Sequence, residues 1–131
     1  FGIAVDDAHH FQGEFNADRA NPGRGWISVR ADTLAASELM ARLEAGHFYA
    51  STGVELTEIA VRPRSLEIHI AQDRDFGYET TFIGASGETL LRTEDNPAVF
   101  HLTEDVGYVR ARVQNSRSDL AWVQPVFVMR R

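Results

Sequence analysis

The sequence predicts a mainly β protein of α+β type, an antiparallel β-sandwich of roughly six to eight strands preceded by a segment in which strand, loop and helix alternate. Three observations carry this. From Glu55 onward every apolar pattern has period two, which puts successive side chains on opposite faces of a strand. Turn-forming residues interrupt that pattern at short intervals: Pro63-Arg64, Asp73 to Gly77, Gly84 to Gly87, Thr93 to Pro97 and Asn115 to Asp119. Only Ala36 to Leu43 places apolar residues at helical spacing.

Composition is that of an ordinary globular domain. A chain of 131 residues with 44% hydrophobic and 24% charged residues has enough apolar surface to form a core. The net charge of −6 argues against nucleic acid as a partner and against binding to an anionic membrane, and no run of about 20 apolar residues is present to span one. All 13 basic residues are Arg, so lysine Schiff-base chemistry is excluded and the cations present are forks suited to carboxylate and phosphate. With no Cys there is no thiol catalysis, disulfide or thiolate metal site, and localisation stays open between cytoplasm and export.

The first stretch, Gly2-Ile3-Ala4-Val5-Asp6-Asp7-Ala8-His9-His10, starts with an apolar run that reads as a short strand buried on both faces. Carboxylates and imidazoles come next, where such a strand would surface. Asp7 and His9 are two apart, so in an extended chain they share a face and can close on one ion, while Asp6 and His10 face the other way. Carboxylate oxygen plus neutral imidazole suits zinc, manganese or iron. The same residues also describe a polar turn, with an aspartate capping the next backbone segment and the histidines solvated.

Phe11 to Gly25 holds Gly13, Asn16, Asn21, Pro22, Gly23 and Gly25 without an apolar period, and is expected to be a loop. A long loop directly after candidate ligands suits a functional role. Arg24, between two glycines, is a candidate for an anionic substrate group, as is His10; the competing reading of Arg24 is an exposed turn residue. Trp26 to Ala31 alternates as a strand with one buried face. Asp32 or Thr33 is expected to cap a core helix with Ala36, Leu39, Met40 and Leu43 on its inner face, a Glu38–Arg42 pair outside and Gly46 at its end. His47 to Gly53 joins the two styles of sequence.

The strands expected beyond the joint are Glu55 to Val61, Ser65 to Gln72, Tyr78 to Ile83, Glu88 to Arg92, Ala98 to Leu102, Tyr108 to Gln114 and Leu120 to Met129. Leu66, Ile68 and Ile70 should point inward with Glu67 and His69 outward, and likewise Val109, Ala111 and Val113 against Tyr108, Arg110, Arg112 and Gln114. Arg110 and Arg112 then form a small basic strip on a sheet face. Pro125, which cannot donate a ladder bond, marks an edge or bulge.

The run GIAVDDAHH resembles the last metal motif of the PHP (polymerase and histidinol phosphatase) family, where a strand of a distorted β/α barrel ends in D-x-H. Trp26-Ile27-Ser28-Val29-Arg30-Ala31, the helix and Gly46-His47-Phe48-Tyr49-Ala50-Ser51-Thr52-Gly53 are similar to the segment after that motif in members with an appended C-terminal β domain. Tyr108-Val109-Arg110-Ala111-Arg112 and Ala121-Trp122-Val123-Gln124-Pro125 resemble that domain's end. The resemblance implies that residues 1–53 are the C-terminal remnant of the barrel and 54–131 the β-sandwich domain. It implies metal ligation by Asp7 and His9 in a phosphoesterase-type hydrolase, and places His47, Tyr49 and Ser51 near the site, against packing at a domain seam. Family members open with H-x-H and gather further His and Glu ligands along the barrel; no H-x-H stands here.

The chain is therefore expected to be a C-terminal piece whose partner is the upstream barrel of the same polypeptide, inactive alone and without a tightly bound divalent ion of its own. Exposure of Ile3 and Val5 on a loosely held first segment suggests pairing into a homodimer. The alternative from another class is a non-catalytic β-sandwich that binds a partner or oligomerises, with Phe76, Tyr78, Tyr108 and Trp122 as contact aromatics.

Overall fold

The computed structural model describes residues 1–103 and 105–128. They form β1 (Trp26–Val29), α1 (Ala36–Glu44), β2 (Phe48–Ser51), β3 (Leu56–Arg62), β4 (Ser65–Ile70), β5 (Tyr78–Ile83), β6 (Thr89–Thr93), β7 (Ala98–His101), β8 (Tyr108–Asn115), β9 (Leu120–Val123) and β10 (Val126–Phe127). Two antiparallel sheets face each other in a mainly β sandwich, as the period-two pattern predicts. The larger runs β1-β2-β9-β8-β5-β6 with β10 also on β8, and the smaller β3-β4-β7. Met129, the expected end of the last strand, lies outside the described residues.

Between the sheets the alternation of each strand becomes a core. Leu66, Ile68 and Ile70 of β4 meet Phe82 of β5 and Val109, Ala111 and Val113 of β8, all of them buried. Phe82 and Phe100, one from each sheet, stack with ring centroids 5.3 Å apart. Pro63 and Arg64 form the two-residue turn of the β3–β4 hairpin, with Arg62 opposite Ser65. Pro125 interrupts the expected last strand and separates β9 from β10.

The large sheet crosses the expected division between residues 53 and 54. Tyr49 pairs with Val123, Ala50 with Trp122 and Ser51 with Ala121, so β1 and β2 extend the same ladder as β9. Since Ala121 and Val123 face the core, Phe48 and Ala50 lie on the sheet's outer side, yet both are buried. What covers them is the N-terminal arm: the Phe1 ring packs edge-on against Phe48 at 6.1 Å.

Three expectations are corrected. Ile3 to Val5 is not a strand buried on both faces; it has no ladder, and Ile3 and Val5 are 66% and 70% exposed. An apolar triplet cannot report whether strands are available on either side of it. Nor is the segment loosely held, because Gln124 grips Gly2 and Asp6 is tied to the Arg24 and Gly25 amides. The helix is not a core helix either, since none of its residues is buried and Met40 is 54% exposed.

The helix termini obey local chemistry. The N-cap position falls on Ala35, without a side-chain cap; instead Glu38 reaches back to accept the N–H groups of Asp32 at 2.8 Å and Thr33 at 3.1 Å. Glu38 also pairs with Arg42 at 3.5 Å, the i,i+4 pair expected from spacing. At the other end the N–H of Gly46 donates to Leu43 and that of His47 to Arg42, with Gly46 at φ +74°, a Schellman termination.

Candidate functional site

Residues 1–5 run over the outer face of β2 and β9 and residues 6–10 along the loop at 16–25, and exposure alternates along residues 3–9. Ala4, Asp6 and Ala8 are half-buried against the body, whereas Ile3, Val5, Asp7 and His9 are exposed. Two anchors fix the arm. At its start the buried Gln124 amide behaves like a strand neighbour, accepting the Gly2 N–H at 2.9 Å and donating to the Gly2 carbonyl at 2.7 Å. Further on, the Asp6 carboxylate accepts the backbone N–H groups of Arg24 at 2.5 Å and Gly25 at 2.7 Å. Those amides, Gly25 foremost and Gly23 next, hold the Asp6 carboxyl below its ordinary range, aided by the Arg24 guanidinium. Gly25 is required at this crossing because a Cβ there would stand 2.9 Å from the Val5 carbonyl oxygen.

With Asp6 drawn inward, Asp7 turns out through a left-handed backbone at φ 50°, a conformation that aspartate adopts more readily than most side chains. Its Oδ1 lies 4.0 Å from His9 Nε2, and both side chains are largely exposed. Two ligands that each stand about 2.1 Å from one ion are at most about 4.2 Å apart, so this separation is within what one ion spans. Among the described residues no third His, Asp or Glu joins them in a group that can hold a metal. A carboxylate and an imidazole are suitable donors for zinc, manganese or iron, but they complete no coordination shell.

The loop behind the pair is ordered by its own polar groups. The N–H groups of His9 and His10 both donate to the Ala20 carbonyl, at 2.8 and 3.0 Å. Asn21, 2% exposed, donates to the His10 carbonyl and accepts the Asn16 N–H. Arg24 is exposed and gives one guanidinium N–H to the Asn16 carbonyl at 2.5 Å, which ties the loop from Asn16 to Asp6 through one residue. His10 is exposed and held through its backbone.

The joint residues have structural partners. Tyr49 accepts the Leu56 N–H on its hydroxyl, and Ser51 donates to the Val54 carbonyl at 2.7 Å. His47 Nδ1 lies 3.4 Å from Arg42 Nη1. Asp6, Asn21 and Gln124, which build the arm's geometry, carry no spacing signal: each acts on a backbone group whose position only the tertiary fold defines.

No family model, curated protein or solved structure matches the chain. Among the described residues no helix is long and apolar enough to cross a membrane.

Proposed function

We propose that the chain is the C-terminal part of a PHP-type metal-dependent hydrolase acting on phosphoesters, and that it supplies Asp7 and His9 to a metal centre whose remaining ligands come from a preceding barrel. The observation that supports this reading best is the outward-turned Asp7–His9 pair, 4.0 Å apart on an arm that is anchored on either side of it, at Asp6 by the Arg24 and Gly25 amides and at His9 and His10 by the Ala20 carbonyl. A divalent ion bound there supplies polarisation of a phosphoryl oxygen and an acidified water. Asp7 and His9 hold it; Asp6, locked to the Arg24 and Gly25 amides, orients them. Arg24 keeps donors free for an anionic substrate, having used one on Asn16.

The test is made on the longer polypeptide that carries this segment. Asp7→Ala or His9→Ala should lower metal-dependent phosphoester hydrolysis by about a hundredfold or more, a loss at least as large as that for residues that only support ligands. His10→Ala should cost far less. Full activity in both ligand variants would overturn the assignment, as would an upstream sequence without H-x-H.

A further inference from the structure

Between the arm and the sheet lies a cleft of about 560 Å³, within the size range of small-molecule sites. Ile3, Ala4 and Val5 form its roof, and Tyr108, Arg110 and Trp122 its floor. Among the described residues no Asp or Glu lines it. The Gln124 amide at its rim is already occupied on both sides by Gly2 and the Thr52 hydroxyl oxygen already accepts the Leu120 N–H, so the side-chain groups left to meet a ligand are chiefly donors: the Arg110 guanidinium, the Trp122 indole N–H and the Thr52 and Tyr108 hydroxyls.

Among the described residues the arginines beside it form no ion pair. Arg110 and Arg112 alternate on β8 and share its outer face, about 7 Å apart. In a chain of net charge −6, neither has an ion pair or a side-chain hydrogen bond among the described residues, and the Arg112 Nε–H is buried without an acceptor. Trp122 stands directly across the strand pair from Arg112. Guanidinium forks favour the planar carboxylate, which accepts two parallel N–H bonds, and a slot between an extended arm and a sheet face favours a flat body.

We propose that this cleft is a binding site for an aryl carboxylate, with Arg110 pairing the carboxylate and Trp122 and Tyr108 flanking the ring. The site does not depend on the metal reading, because neither Asp7 nor His9 lines it.

Titration of 2-naphthoate into the chain, monitored by the assigned indole N–H resonance of Trp122, tests it. Saturable binding with a Kd on the order of 1 mM or tighter is expected, a scale set by the binding obtainable per ligand atom. Arg110→Met should raise that Kd about tenfold or more, bringing it to the level of the neutral 2-naphthalenemethanol. Ala4→Phe, which fills the cleft from the roof and leaves Arg110 intact, should abolish binding, and Asp7→Ala should leave it unchanged. Equal affinity for naphthoate and the alcohol, undiminished binding in Arg110→Met or Ala4→Phe, or an equal Trp122 response to inorganic phosphate would overturn the proposal.

Discussion

Asp6 and Asp7 are chemically identical neighbours, and the fold separates their tasks: one carboxylate is consumed by backbone amides, the other projects into solvent. Because the Asp6 carboxyl is held below its ordinary value of 3.8, its contribution to stability is present above that value and is lost as pH falls through the lower folded-state value. The urea midpoint of the chain should therefore exceed that of Asp6→Asn at neutral pH, and the gap should narrow as pH falls below 3.8. Glu38, held down chiefly by the Thr33 hydroxyl, and Glu67, held down chiefly by the Ser65 hydroxyl, titrate in both proteins and cancel in the comparison. A gap that persists unchanged at low pH would show that Asp6 is not the anchor. Thr80 is a residue-scale cost of another kind: fully buried, with a hydroxyl that finds no partner among the described residues. Thr80→Val should stabilise the chain by about 1 kcal/mol in urea unfolding, since it removes an unsatisfied polar atom at nearly constant shape. Destabilisation would mean that the hydroxyl has a partner. The sequence offers an aspartate of this run as a backbone cap without indicating which one or that its amides lie 18 and 19 residues on, and Thr80 reads as an ordinary strand residue.

At the scale of elements, the strands from β3 to β8 and the position of the helix were legible because each is specified by its own residues: β4 by Leu66, Ile68 and Ile70, β8 by Val109, Ala111 and Val113, the helix end by Gly46. Gly46 makes a direct test. It holds the left-handed terminus, and a Cβ there would stand 2.5 Å from the Phe1 ring. Gly46→Ala should cost about 1 kcal/mol or more in urea unfolding and displace Phe1 from Phe48. An unchanged midpoint would contradict a Schellman terminus at this residue. The arm was misread for the converse reason. Ile3-Ala4-Val5 has the composition of a buried strand, but what decides its state is a long-range partner, and here that partner is the side chain of Gln124, 122 residues away. The helix was placed correctly and its burial overestimated, since helical spacing says which face is apolar and not how far the neighbouring sheet reaches.

For the whole molecule, the sandwich is unequal: the small sheet covers part of the inner face of a large one, and the arm covers part of its outer face. Period two indicated a sandwich without indicating which strands share a sheet, so the continuation of β1 and β2 into β9 across the expected boundary emerged only from the register. The D-x-H pair was legible as a pattern, and its anchoring was not. The functional account depends on that pair being half of a metal centre. Isothermal titration of the chain with Zn²⁺ and Mn²⁺ tests it most directly. One carboxylate and one imidazole leave most coordination positions to water, so the account predicts weak binding that disappears in Asp7→Ala and in His9→Ala and survives in His10→Ala. Tight stoichiometric binding, or binding indifferent to Asp7→Ala, would contradict it.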